Sequence, residues 1–330
     1  MLGSLLLAVA AGALSPQQIY QQRAPGVVVV FASDGRVKAS AGTGSIISRD
    51  GKVLTNAHVV AKDRRVLSNT WVYLRPDRLR GSTRRDLTRR FEARVLDVDH
   101  DLDLALLQIR EAPPNLEPIP LGDSDAVQIG SPVVAIGHPE TGGLWTLTTG
   151  SISAVIADFQ GVDGRDAFQT EASVNRGNSG GPLLDAEGRM IGVNTSISRK
   201  ASDGLAITDI NFSIQSRVAR RWLATQRGLR LEKPSPAKPP APSVGAQDPV
   251  RDDPEFVARA EAAKEGRMPK RPLPTKQLTG KRPYDMESFL AERLEEVREL
   301  EDLMDEARDG IDRKTRRRSR REKTPGLGLW

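Results

Sequence analysis

The sequence predicts an all-β fold, a barrel or a sandwich, followed by a C-terminal extension of a different character. Between Gly26 and Ile214, aliphatic runs of strand length recur at roughly even spacing with Gly, Asp, Pro or Ser between them. No amphipathic helical pattern intervenes, which separates this series from a chain that alternates strands and helices. Beyond it the composition turns to proline and charge. The 330 residues are 38% hydrophobic but only 4% aromatic, so the expected core is mainly aliphatic.

The elements follow in chain order. The apolar stretch Leu2 to Ala13 is shorter than the ~20 residues a bilayer-spanning helix needs. It fits the apolar region of an export signal, with Ala11-Gly12-Ala13 as a small-residue cleavage site, although the usual basic start is missing. A membrane-inserted or frayed N-terminal segment is the competing reading. Candidate strands are residues 27–32, 45–48, 52–55, 104–109, 132–137, 151–156 and 189–195. Ala41-Gly42-Thr43-Gly44 and Asp185-Ala186-Glu187-Gly188 read as turns or bulges between them. Residues 216–226 place Val218, Trp222 and Leu223 on one side of a short helix that would pack on the β domain.

The extension has three parts. Residues 233–244 are a stiff proline-rich linker, and residues 248–281 carry too much charge and proline to form a core. From Asp285 to Ile311, Leu290, Leu294, Val297, Leu300, Met304, Ala307 and Ile311 recur at steps of three and four, the mark of one amphipathic helix. Its stripe suits a second copy, the barrel surface or a membrane. The divisions are thus residues 1–15 (leader), 16–230 (β domain), 231–284 (linker) and 285–330 (helix and basic tail), so the extension is mostly disordered or helical.

Composition removes several classes of chemistry. There is no cysteine, hence no disulfide, cysteine nucleophile or thiolate metal site. The three histidines, His58, His100 and His138, lack the short helical spacing of a zinc site, and no cofactor is expected. The net charge of +6 is local, concentrated in Arg313 to Arg321 and in arginines between Arg64 and Arg94. Both clusters read as solvated surface or as contacts for an anionic partner or membrane surface, with no specific nucleic-acid signal.

Three motifs carry chemistry: Thr55-Asn56-Ala57-His58-Val59-Val60, then Asp103-Leu104-Ala105-Leu106-Leu107, then Gly177-Asn178-Ser179-Gly180-Gly181-Pro182-Leu183. A serine hydroxyl is a weak nucleophile and needs a nearby base, which in turn needs a partner to hold its tautomer. His58, Asp103 and Ser179 supply those three types. The glycines permit a tight turn whose N–H groups, from Gly177 and Ser179, can meet an oxyanion, with Asn178 shaping the turn. Each motif alone has an ordinary reading: a histidine buried in an aliphatic strand, or a tight hairpin. Asp101 and His100 read as turn residues.

The segments TNAHVV, DLALLQI, VVAIGHP and NRGNSGGPLL resemble the HtrA (Deg) family of trypsin-fold serine proteases, from about residue 17 to 226. Ile210-Asn211-Phe212-Ser213-Ile214 is similar to the strand before that family's last helix. The resemblance implies two perpendicular six-stranded chymotrypsin-like barrels, with the triad His58, Asp103 and Ser179 in the cleft between them. It also implies a periplasmic, secreted or organellar endopeptidase acting on misfolded proteins, and assembly as a trimer. Ser173 would floor the primary specificity pocket, with Asn194, Thr195 and Ser196 as its wall and Ile210 narrowing it. Cleavage after small or medium apolar residues follows from that set. The chain departs from the pattern in three ways: it has no recognisable PDZ module, its segment from Arg75 to Arg94 is long and basic, and His138 stands where Asn is usual. The alternative function is a binding or chaperone-like module on the protease fold, tethered to a membrane or polyanion by the basic helical tail.

Overall fold

Twelve strands close into two antiparallel barrels of six in the computed structural model. It describes residues 13–35, 39–139, 142–173, 177–195 and 210–226, together with Leu229, Ala291 and Glu295. The first barrel is built from β1 (Val27–Ser33), β2 (Ala39–Ile46), β3 (Lys52–Thr55), β4 (Asn69–Leu74), β5 (Arg89–Asp99) and β6 (Leu104–Ile109), in the order β1-β2-β3-β6-β5-β4. The second uses β7 (Pro132–Gly137), β8 (Thr146–Ile156), β9 (Ala167–Thr170), β10 (Pro182–Leu184), β11 (Met190–Thr195) and β12 (Asn211–Gln215), in the order β8-β9-β12-β11-β10-β7.

The aliphatic runs are continuous, not alternating, because several strands are buried on both faces. In β1, Val28, Val30 and Ala32 point into the first barrel, where they meet Ile46, Val53, Val72 and Leu107. Val27, Val29 and Phe31 point outward into a second cluster that includes Val134, Ile136, Leu184, Val193 and Ile214 of the other barrel. The strand β6 divides in the same way, Ala105 and Leu107 inward, Leu104 and Leu106 outward. The second barrel has its own filling of Val133, Ala135, Ile152, Phe168, Leu183 and Ile191.

Helices are few. The helix α1 (Pro16–Arg23) starts in a capping box made by Ser15 and Gln18, with proline in its first turn. A single turn, α2 (Ala57–Val60), follows β3, and α3 (Thr83–Asp86) lies in the β4–β5 connection. The expected C-terminal helix is α4 (Ser216–Ala224), which buries Val218, Ala219, Trp222 and Leu223.

One expectation and one alternative reading are corrected. Ala41 to Gly44 is not a turn but the middle of β2. Gly42 is there to make room: a Cβ on it would lie 2.7 Å from Val59 Cγ2 and 3.0 Å from the Ser179 carbonyl. His58 sits on the helical turn α2, not in an aliphatic strand, and its side chain is 43% exposed. The sequence Asp185 to Gly188 does form a turn, closed by Gly188 N–H donating to Asp185 O at 2.9 Å. Ala291 and Glu295 are helical and exposed. Residues 1–12 of the expected leader, the linker, the rest of the expected C-terminal helix and the basic tail lie outside the described residues.

Candidate active site

The strand β3 delivers its end to the barrel junction, where Asn56 caps α2 from an extended backbone. The next residues but one set the geometry. The Asn56 side-chain amide donates to the Asp103 carbonyl at 2.9 Å, and the His58 backbone N–H donates to Asp103 Oδ1 at 3.1 Å. His58 Nδ1 lies 2.9 Å from Asp103 Oδ2 and 3.0 Å from Oδ1. An ionised carboxylate only accepts, so Nδ1 carries the proton and Nε2 is the ring's basic nitrogen.

Asp103 is held from several sides. It adopts a left-handed backbone, φ 56°, a conformation that Asp tolerates better than most side chains. The Thr195 hydroxyl, at the end of β11, donates to Asp103 Oδ2 at 3.1 Å from across the barrel junction. Arg165 reaches the same loop from the second barrel, donating to the Asp101 carbonyl at 2.9 Å. Burial lowers the Arg165 pKa, with Asp103 and Asp101 opposing that shift. His100 and Asp101 are turn residues, and Asp101 pairs with Arg64 at the surface.

The serine turn packs against both elements. Gly180 has φ +85°, and a Cβ on it would lie 2.1 Å from Thr55 Oγ1 and 3.0 Å from the Asn56 backbone nitrogen. Its N–H donates to the Asn194 carbonyl at 2.8 Å, while the Ser179 carbonyl accepts from Thr43 N–H at 2.8 Å. Ser179 and Asn178 are both buried. Gly177 is also left-handed, φ 92°, and its carbonyl accepts from the Thr43 hydroxyl at 2.6 Å. The turn of Gly177, Asn178 and Ser179 is thus fastened between β2, β3 and β11.

The residues expected to line a specificity pocket divide. Ser173 is exposed, and its carbonyl accepts from Thr148 Oγ1 at 3.1 Å and, at a long 3.4 Å, from Asn178 Nδ2. Asn194 is fully buried and gives its amide to the Pro182 carbonyl at 3.0 Å. Thr195 is engaged with Asp103, as described. Ile210 is half-buried just before β12, and Ser196 lies outside the described residues. Thr43, Thr195 in its contact with Asp103, and Arg165 are the groups that sequence reasoning missed. A lone threonine belongs to no motif, and nothing local to Arg165 reveals that it reaches Asp101.

Comparison with known proteins agrees with this architecture. Residues 42–193 match the trypsin-like peptidase domain family. Among curated proteins, the chain is 36% identical over 220 residues to the magnetosome formation protease MamE of Paramagnetospirillum magneticum, covering 63% of this chain and 28% of that protein. It is 38% identical over 192 residues to serine protease HTRA1 of Xenopus tropicalis, covering 57% of this chain and 36% of that one. It is 37% identical over 181 residues to the periplasmic pH-dependent serine endoprotease DegQ of Escherichia coli, covering 54% and 35%. The solved structure of the HtrA-type protease AlgW with a tripeptide superposes with a TM-score of 0.53 at 32% identity, covering 64% of this chain and 63% of that one. The chain thus spans less than two thirds of the length of each of these proteins. The paired barrels carry a segment, residues 42–193, that matches the trypsin-like peptidase domain family, and the chain is similar over that region to HtrA-type serine proteases.

Proposed function

We propose that the chain is a serine endopeptidase in which Ser179 is the nucleophile, His58 the general base and Asp103 its orienting partner. The observation that carries this reading is the Asp103 carboxylate, which takes His58 Nδ1 at 2.9 Å and Thr195 Oγ1 at 3.1 Å. That arrangement fixes the tautomer a base needs, since only Nε2 is then free of a proton. The Ser179 hydroxyl proton passes to Nε2 as Oγ bonds to the scissile carbonyl carbon. The resulting oxyanion is met by the N–H groups of Gly177 and Ser179. His58 then gives the proton to the leaving amine, and water repeats the sequence on the acyl-enzyme.

The substrate is a polypeptide, a misfolded or exported protein, cleaved after small or medium apolar residues. Ser173 supports that preference, because a floor without a carboxylate offers nothing to Lys or Arg. A strong preference for arginine reporter peptides would reject it. The periplasmic relative and the leader-like residues 2–13 support an exported chain, which fractionation of cells would check. Assembly as a trimer is read from the family and is testable by sedimentation. Retention of the basic tail on an anionic surface should weaken steeply with salt.

Labelling with a fluorophosphonate tests the central claim. Wild type should label and Ser179→Ala should not, with both folded. An unlabelled, folded wild type would move the binding-module alternative to the front.

A further inference from the structure

Beside the triad lies a buried node that the mechanism above does not use. Thr43, in β2, is wholly inaccessible and meets the serine turn at both ends. Its N–H donates to the Ser179 carbonyl at 2.8 Å and its hydroxyl to the Gly177 carbonyl at 2.6 Å. Its methyl group closes on Gly181, where a Cβ would lie 2.9 Å from Thr43 Cγ2. The same hydroxyl oxygen is 3.2 Å from the His138 backbone nitrogen and 3.0 Å from His138 Nδ1.

Proton counting fixes the direction of these bonds. A threonine hydroxyl has one hydrogen, and a carbonyl can only accept, so the 2.6 Å contact consumes that hydrogen at Gly177. His138 Nδ1 must then donate to Thr43. A histidine protonated on Nε2 would demand the hydroxyl proton for itself and release the Gly177 carbonyl. His138 is almost completely buried, its ring meets Trp145 edge-on with centroids 4.7 Å apart, and its Nε2 has no hydrogen-bond partner among the described residues. Among the described residues no side chain is therefore on hand to stabilise a proton at Nε2.

We propose that Thr43 is a positioning residue for the oxyanion turn, kept as a donor to Gly177 by the Nδ1–H tautomer of His138. The proposal rests on the peptidase reading. Holding the carbonyls of Gly177 and Ser179 on one residue of the first barrel restricts the peptide rotations that aim the turn's N–H groups. The node acts on the transition state, where the oxyanion forms, and not on substrate binding.

The test is a split of kcat from KM in Thr43→Val, which keeps the shape and removes the oxygen, with Thr43→Ser as the rescue. Thr43→Val should lose about 10- to 100-fold in kcat with little change in KM, as expected when a catalytic geometry is slightly misplaced. Thr43→Ser and His138→Asn, which retain a hydroxyl and a side-chain N–H donor, should stay within about threefold of wild type. His138→Leu removes the ring donor but leaves the backbone N–H of residue 138 on Thr43 Oγ1, so its loss in kcat should fall between those of Thr43→Ser and Thr43→Val. Folding of each variant is checked by its unfolding midpoint. Equal kcat in folded Thr43→Val overturns the proposal.

A second readout does not depend on activity. With three histidines in the sequence, the ring nitrogens can be assigned by NMR on histidine-labelled protein, using His138→Asn to identify one set. The expected result is a proton on Nδ1 of His138, and a proton on Nε2 overturns the proposal. An inert wild type with His138 protonated on Nδ1 would instead reject the peptidase reading and, with it, any positioning role for an otherwise correct hydrogen-bond node.

Discussion

At the scale of single residues, Asp103 and His138 show two opposite uses of polar burial. The Asp103 carboxylate accepts His58 N–H, His58 Nδ1–H and Thr195 Oγ1–H together. Asp103→Asn keeps the shape but offers an amide that cannot accept at every position, and it permits the wrong imidazole tautomer. The expected loss is about four powers of ten in kcat with the fold intact, measured on a peptide substrate or as the labelling rate of Ser179. His138 is the reverse case, an ionisable ring kept neutral. Burial pushes its pKa from 6.5 down to about 3. The unfolded chain therefore binds a proton between those values and the folded one does not. Its contribution is fully present above pH 6.5 and is lost as the pH falls toward 3, with a slope of about 1.4 kcal/mol per pH unit. Urea unfolding of wild type and His138→Asn from pH 4 to pH 7 would check this, with the mutant showing the flatter profile.

Elements explain what could be read in advance. Aliphatic runs marked β1, β3, β6, β7 and β11, because strands covered on both sides carry apolar residues at successive positions. The strands β4 and β5 escaped notice. In β5, Arg89, Arg90, Glu92 and Arg94 interleave with Phe91, Ala93 and Val95, and that solvent-facing charge hides the alternation. Glycine was misleading in β2, where it allows close approach and does not turn the chain. The candidates His58, Asp103 and Ser179 could be picked out because each sits in its own motif, whereas the contacts of Thr43 and Thr195 exist only once two barrels meet. The basic β4–β5 connection has an equally hidden anchor. Asp86 is fully buried and accepts from the backbone N–H groups of Arg80, Gly81 and Ser82 at 2.7, 2.9 and 3.1 Å. Asp86→Ala should leave three donors unsatisfied and cost about 1–3 kcal/mol each at most, so the loop should loosen before the barrel does. Faster amide exchange at residues 80–82, with the rest unchanged, is the expected signature.

For the whole molecule, the shared cluster between the barrels matters more than either filling. Phe31, Leu106, Ile136, Val193 and Ile214 belong to it and come from both halves. Two barrels joined by such a surface should unfold together, so calorimetry of the folded region should show a single transition. Two separated transitions would contradict this. Phe31→Ala, which removes a buried ring from the common cluster, should cost about 3–5 kcal/mol and lower the stability of both barrels at once.

The double-sided burial of β1 also bears on how the chain is made. All six strands of the first barrel lie between Val27 and Ile109, so that barrel can close while the rest is still being synthesised or threaded. Its outer face of Val27, Val29 and Phe31 must then wait for partners from residues 134 to 223. During that interval the half-finished pair of barrels displays an adhesive apolar stripe, the kind of surface that invites aggregation unless something shields it.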